Sequence, residues 1–187
     1  MKIKCRFLQQ ILTFALPSSL NCRLLHITSK SFTDFYPWKT YYGFEQHEFP
    51  TDGFGIWHIH GSIKYIRSIR LGLTDYMGSV ERSRKLIHNG DDRLFKGKRQ
   101  PRWQGHQTWL HIWFNMPLII IGLGYKPDEV FLRWLLIERK RYFNIYNDPM
   151  NVWYISKGTP EASIANLLQN LGVEIVEVSE YADIYGN

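Results

Sequence analysis

The stretch that most constrains this 187-residue chain is Pro117-Leu-Ile-Ile-Ile-Gly122. A short continuous apolar run closed by glycine is what a strand buried on both faces presents. Helical periodicity follows it. Val130, Phe131, Trp134, Leu135 and Ile137 recur at steps of three and four, Pro127 or Asp128 opens the helix, and Arg139, Lys140 and Arg141 stand at its end, where the dipole favours cations. Val152 to Ser156 reads as a second strand. Pro160 and Glu161 open another helix with the stripe Ile164, Leu167, Leu168 and Leu171, and Gly172 caps it before a third strand, Val173 to Val178. Full helices between such strands require parallel pairing with right-handed crossovers. The expected fold class is therefore α/β, a Rossmann-like parallel sheet flanked by helices.

Upstream the signals are shorter. Gly55 to His60 alternates like a strand, and Thr74 to His88 has helical spacing with Thr74 as N-cap. Residues 90 to 102 form a polar, basic loop, and Thr108 to Phe114 a short amphipathic helix. Phe32 to Phe54 is dense in aromatics, proline and glycine without a clean period, and no element can be placed there. The expected organisation is an irregular, aromatic and basic segment, 1–53, packed on an α/β domain, 54–187.

The net charge of +6 raises the question of an acidic partner. Half of the explanation lies in residues 93 to 102, where Arg93, Lys96, Lys98, Arg99 and Arg102 adjoin Trp103 and Trp109. Such a loop can track a phosphate backbone, but a solvated loop is the simpler account, so nucleic acid is a minor alternative. Cys5 and Cys22 fit neither a zinc site nor a disulfide scaffold and point to a reducing, cytoplasmic setting. Met1 to Leu20 imitates a signal peptide, yet Gln9 and Gln10 interrupt its apolar stretch. No segment approaches the roughly 20 apolar residues of a membrane span, so no membrane partner is expected.

Two constellations can carry chemistry. In His58-Ile-His60-Gly61-Ser62, alternation places both histidines on one face, and the glycine lets a ligand approach the backbone. A histidine there suits a general base, because its ordinary pKa lies close to neutrality. Satisfied structural histidines are the competing explanation. A metal is not expected, since no third ligand stands at a suitable spacing. The other constellation is Gly122-Leu-Gly124-Tyr-Lys-Pro-Asp128, a turn from a buried strand into a helix. Glycines permit close approach, the helix N-terminus offers N–H groups to phosphate or ribose oxygens, and Asp128 can bond a ribose hydroxyl or cap the helix. Such turns also serve simply to reverse the chain.

Taken in order, Trp57-His-Ile-His60-Gly61-Ser-Ile63, then Ile69 to Tyr76, then Leu118 to Asp128, resemble the bacterial sirtuin-like domains, with Val152 to Ser156 and Gly172 to Val176 matching their last two strands. The resemblance covers about residues 54 to 187. It implies a sirtuin-type Rossmann fold with NAD as substrate or ligand. His60 would take the family's base role toward the ribose side of the nicotinamide–ribose bond. Gly61, Ser62, Gly122, Gly124 and Asp128 would bind the cofactor. The four zinc cysteines of the classical deacylases are missing, so the NAD-hydrolase branch, which includes antiphage effectors, is implied. Nothing in residues 1–53 matches the family's glycine-rich pyrophosphate turn or its asparagine motif. The expectation is thus an NAD glycohydrolase-type domain or a truncated, degenerate copy, with a homo-oligomeric or other partner supplying the missing loop. The alternative is a non-catalytic nucleotide- or protein-binding domain.

Overall fold

Aromatic side chains hold together the first half of the chain, where sequence periodicity is weakest. A computed structural model describes residues 7–9, 21–27, 38–61, 65–70, 72–180 and 182, and divides the chain into two units, Met1–Phe114 and Asn115–Asn187. In the first unit, β1 (Phe7–Gln9), β2 (Arg23–His26), β3 (Thr40–Gly43) and β4 (Ile56–His58) form a sheet of order β1-β4-β3-β2. β1 runs parallel to β4, while β3 is antiparallel to both β4 and β2. Strands therefore occupy parts of residues 1–53, the segment expected to be irregular, and β3 lies in the stretch 32–54 where no element could be placed. The signal of β3 is hidden because aromatic packing, not alternation, selects it. Tyr41 stacks on Trp57 with ring centroids 5.0 Å apart. Its hydroxyl donates to the Glu45 carbonyl at 3.0 Å and accepts from the His47 N–H at 2.9 Å, fixing the corner after β3.

The helix after this sheet, α1, spans Leu73–His88. Its N-cap is Gly72 rather than Thr74, because Asp75 reaches back to accept from the Gly72 N–H at 3.4 Å. At the other end the Gln104 carboxamide donates to the carbonyls of Lys85, at 3.1 Å, and Asn89, tying the basic loop to the helix terminus. Leu94 and Trp103 anchor that loop in the core. The short helix α2 (Trp109–Asn115) is not amphipathic, since all residues from Trp109 to Phe114 are buried. Trp38 lies parallel to Trp109 at 5.8 Å, Trp113 meets Trp109 edge-on, and the Trp103 indole donates to His111 Nδ1 at 3.0 Å. Burial of six successive residues, with rings against Trp109, His111 and Trp113, leaves no polar face.

The second unit follows the expected order: β5 (Leu118–Ile121), α3 (Val130–Tyr146), β6 (Val152–Lys157), α4 (Ala162–Asn170) and β7 (Glu174–Val178). The strands pair in parallel as β5-β6-β7, so the α/β class with a helix-flanked parallel sheet is established. Burial of β5 on both faces is not observed. Leu118 and Ile120 are buried, whereas Ile119 is 50% exposed. Successive right-handed crossovers that advance in one direction lay both helices on the same face, which accounts for the difference. Ile137 likewise faces outward, and Phe131, Leu132, Leu135 and Leu136 form the buried stripe of α3.

Two helix ends depart from expectation in an informative way. α3 runs on to Tyr146, so Arg139 to Arg141 lie well inside it. Arg139 is only 2% exposed, with its guanidinium 4.6 Å from the Phe143 ring centroid and donating to the Met116 carbonyl at 2.9 Å. α4 ends as foreseen at Gly172, where φ is +77°. The Gly172 N–H donates to the Gln169 carbonyl and the Val173 N–H to that of Leu168, satisfying the last carbonyls. Among the described residues no helix is long and apolar enough to cross a membrane.

Two glycines should respond oppositely to alanine. Gly78, mid-helix in α1, has open space where a Cβ would go, so Gly78→Ala should stabilise by about 0.5–1 kcal/mol. At Gly172 an added Cβ sits in left-handed backbone, 3.1 Å from Lys140 Nζ, and should cost about 1–2 kcal/mol. Urea midpoints of both variants check the pair.

Candidate functional site

β4 does not continue through His60. It stops at His58, whose carbonyl accepts from the Gly61 N–H at 2.8 Å, closing a turn over residues 58–61. The His60 carbonyl in turn accepts from the Arg70 N–H at 3.0 Å, drawing residues 68–70 against the turn. Gly61 adopts φ +93°, and a Cβ there would lie 2.3 Å from the Ser68 carbonyl oxygen. The close approach that this glycine permits is thus by the chain's own backbone. Ser62 lies outside the described residues.

The two histidines meet different rings, His60 that of Tyr76 and His58 that of Tyr42. His60 is 8% exposed, and its Nδ1 stands 3.2 Å from the Tyr76 hydroxyl on the first turn of α1, with the rings edge to face. Its Nε2 is buried with no hydrogen-bond partner among the described residues. His58 is 6% exposed, tilts against Tyr42 at 5.2 Å, and has neither ring nitrogen paired among the described residues. Burial lowers the pKa of both imidazoles, and at His60 the Arg70 backbone partly offsets it. Both are therefore neutral at pH 7. Tyr76 can donate to Nδ1 or accept from it. In the second case Nε2 presents a bare lone pair, as a general base requires.

The other candidates lie in the second unit, at the β5–α3 turn. Gly122 has φ +72° and open space beside it, and Gly124 and Asp128 are exposed. Asp128 does not cap α3: the N-cap is Glu129, and no side chain caps it. The Glu129 and Val130 N–H groups already donate to the Lys126 and Asp128 carbonyls, so the helix start offers fewer donors than the sequence suggests. Between the glycines and Asp128 stands a residue that sequence reasoning missed. Tyr125 takes left-handed backbone, φ +47°, and is fully buried beside Tyr154, with its hydroxyl unpaired among the described residues. Burial raises its pKa well above the ordinary value. Its carbonyl accepts from Arg133 at 3.1 Å, and Tyr154 bonds the Leu123 carbonyl at 2.9 Å. Glu129 carries a raised pKa, from burial first and then from Asp128. A glycine-lined turn usually turns its polar residues outward, so nothing in the pattern marked Tyr125 for burial.

Among the described residues no group of three or more His, Cys, Asp or Glu side chains could hold a metal ion. Trp103 and Trp109, the rings that would stack on bases beside the basic loop, are each 0% exposed. Stacking by those two rings is thereby closed to the nucleic-acid reading. No protein-family model, curated protein or solved structure matches this chain.

The two histidines make stability acid-sensitive. Their folded pKa values lie below the ordinary 6.5, so in acid the unfolded chain binds more protons than the folded one. Their contribution is fully present above about pH 6.5 and is lost as pH falls through that value toward the folded pKa. His58→Phe should flatten the fall in urea midpoint between pH 7.5 and 5 and cost less than about 1 kcal/mol at pH 7.5, because the imidazole nitrogens it removes have no described partner. A larger cost with an unchanged pH slope would mean that those nitrogens are engaged.

Proposed function

We propose that this chain is an NAD-handling α/β protein of sirtuin type, with His60 as the base on the ribose side of the nicotinamide–ribose bond. The observation that carries the reading is the state of that imidazole: buried, neutral, with Nδ1 against the Tyr76 hydroxyl and Nε2 without a hydrogen-bond partner among the described residues. In an NAD glycohydrolase the C–N bond to nicotinamide breaks and water adds to the ribose carbon, yielding nicotinamide, ADP-ribose and a proton. A positioned base that takes the proton from the attacking water or a ribose hydroxyl lowers that barrier. Taken by itself, the second unit offers Gly122, Gly124 and Asp128 for the nucleotide-ribose role that the resemblance gives them, since they are exposed at the carboxyl end of a parallel strand, where open α/β sheets receive ligands. The setting would be an NAD-consuming effector, of the kind used in antiphage defence.

A second reading, a non-catalytic domain that binds a nucleotide or a partner protein, is favoured by a different observation. The Glu129 and Val130 N–H groups are already spent on the turn, and no glycine-rich pyrophosphate loop stands in residues 1–53. Each charge-assisted hydrogen bond so forfeited is worth roughly 1.5–3 kcal/mol. A degenerate copy would bind NAD weakly, or need a partner to complete the loop.

Incubation with NAD separates the two. Nicotinamide release that falls by roughly 10²-fold or more in His60→Gln supports the enzyme reading. A saturable rise in melting temperature without release supports the binding one. Neither release nor a shift at millimolar NAD sinks both.

A further inference from the structure

The second unit also holds a cavity of about 280 Å³ that neither reading uses. It lies at the opposite end of the sheet from the glycine turn: Val152 begins β6 and Val173 immediately precedes β7, and both line it. Phe143 and Leu171 add apolar wall. Two cations on successive positions of α3 reach it. Arg139 is 2% exposed, with one face of its guanidinium over Phe143, and Lys140 holds its ammonium close above Gly172. Asn144, one turn beyond Lys140, adds a carboxamide, and no acidic residue is among those that line the cavity.

This combination is selective by charge. A guanidinium held this far from water is costly, and burial already brings its pKa down to about 9. An anion entering the cavity would lie between two cations, one of them buried, and beside that buried guanidinium charge-assisted hydrogen bonds are stronger than in bulk water. Both cations form charge-assisted hydrogen bonds with carboxylate or phosphate oxygens, the guanidinium from a position fixed by the Met116 carbonyl and the ammonium as a movable point charge. The volume is at the low end of the roughly 300–1,000 Å³ taken by drug-sized ligands, so a dinucleotide is too large. We propose that this cavity binds a small organic anion, with one carboxylate or phosphate head between Arg139 and Lys140 and a flat apolar body against Phe143 and Leu171.

Calorimetric titration of the full chain at constant ionic strength with benzoate, phenyl phosphate and neutral benzyl alcohol tests this. Saturable binding of benzoate, of phenyl phosphate or of both is expected, and none of benzyl alcohol; the two anions distinguish a carboxylate from a phosphate site. Lys140 and Asn144 are not buried, so their variants should fold even if Arg139→Met does not. Lys140→Ala should weaken binding roughly tenfold, and Asn144→Asp, which places a carboxylate at the cavity, should abolish it. Three results would overturn the proposal: no saturable binding of either anion, benzyl alcohol binding as tightly as benzoate, or affinities unchanged in both variants. The outcome with NAD bears on none of these.

Discussion

A parallel strand cannot reach its neighbour through a hairpin, and that restriction organises the whole second unit. Each of the joins β5–β6 and β6–β7 must carry a helix back across the sheet, so residues 118–178 are consumed by three strands and two crossovers. The same restriction collects every strand's carboxyl end on one side and every amino end on the other. Gly122 and its turn therefore stand at one end of the sheet, and the cavity beside Val152 and Val173 at the other. It also decides which face is covered, leaving Ile119 half exposed while Ile120 is buried. Arg139 becomes intelligible within this frame. A helix long enough to span the sheet continues past it to Tyr146, and a residue that would suit a helix terminus is carried into the interior.

The first unit obeys a different constraint. Its strands are only three or four residues long, too short for ladders alone to fix a sheet, and stacked rings supply the missing specificity. Tyr41 on Trp57, and Trp38 on Trp109, join segments far apart in sequence. One consequence reaches the candidate site. With Trp57 immobilised on β4, His58 and the turn that follows are held in the aromatic core, so the imidazoles are kept out of water and neutral.

What could be read from the sequence follows from this contrast. Periodicity is a record of one-sided burial, and where a helix packs one stripe on a sheet, as α3 and α4 do, the pattern gave their existence and order and very nearly the bounds of α4, but it ended α3 short of Tyr146. Gly172 was legible because only one residue type tolerates its backbone. β2 and β3 were not, since the contacts that select them lie far along the chain and leave no period behind. At the candidate site, His60 was visible as a residue type and Tyr76 only as part of the stretch that carries the resemblance, and their 3.2 Å approach was not visible, because it depends on a turn closing at Gly61. Arg139 misled for a related reason: charge suggests exposure, and only tertiary packing reveals the Phe143 ring beneath it.

Several buried polar atoms have no hydrogen-bond partner among the described residues. They include Trp57 Nε1, both nitrogens of His58, His60 Nε2, the Tyr125 hydroxyl and one Glu129 oxygen. Each such atom costs roughly 1–3 kcal/mol against the same group solvated or paired. These six atoms fall in two short stretches, 57–60 and 125–129, which overlap those that the sequence marked for other reasons. A chain with no use for these groups would gain stability by replacing them with apolar residues of similar shape, as stabilising substitutions at such positions are readily found. Their retention in the two places where a loop leaves the end of a strand is a physical reason, independent of any resemblance, to look for chemistry there.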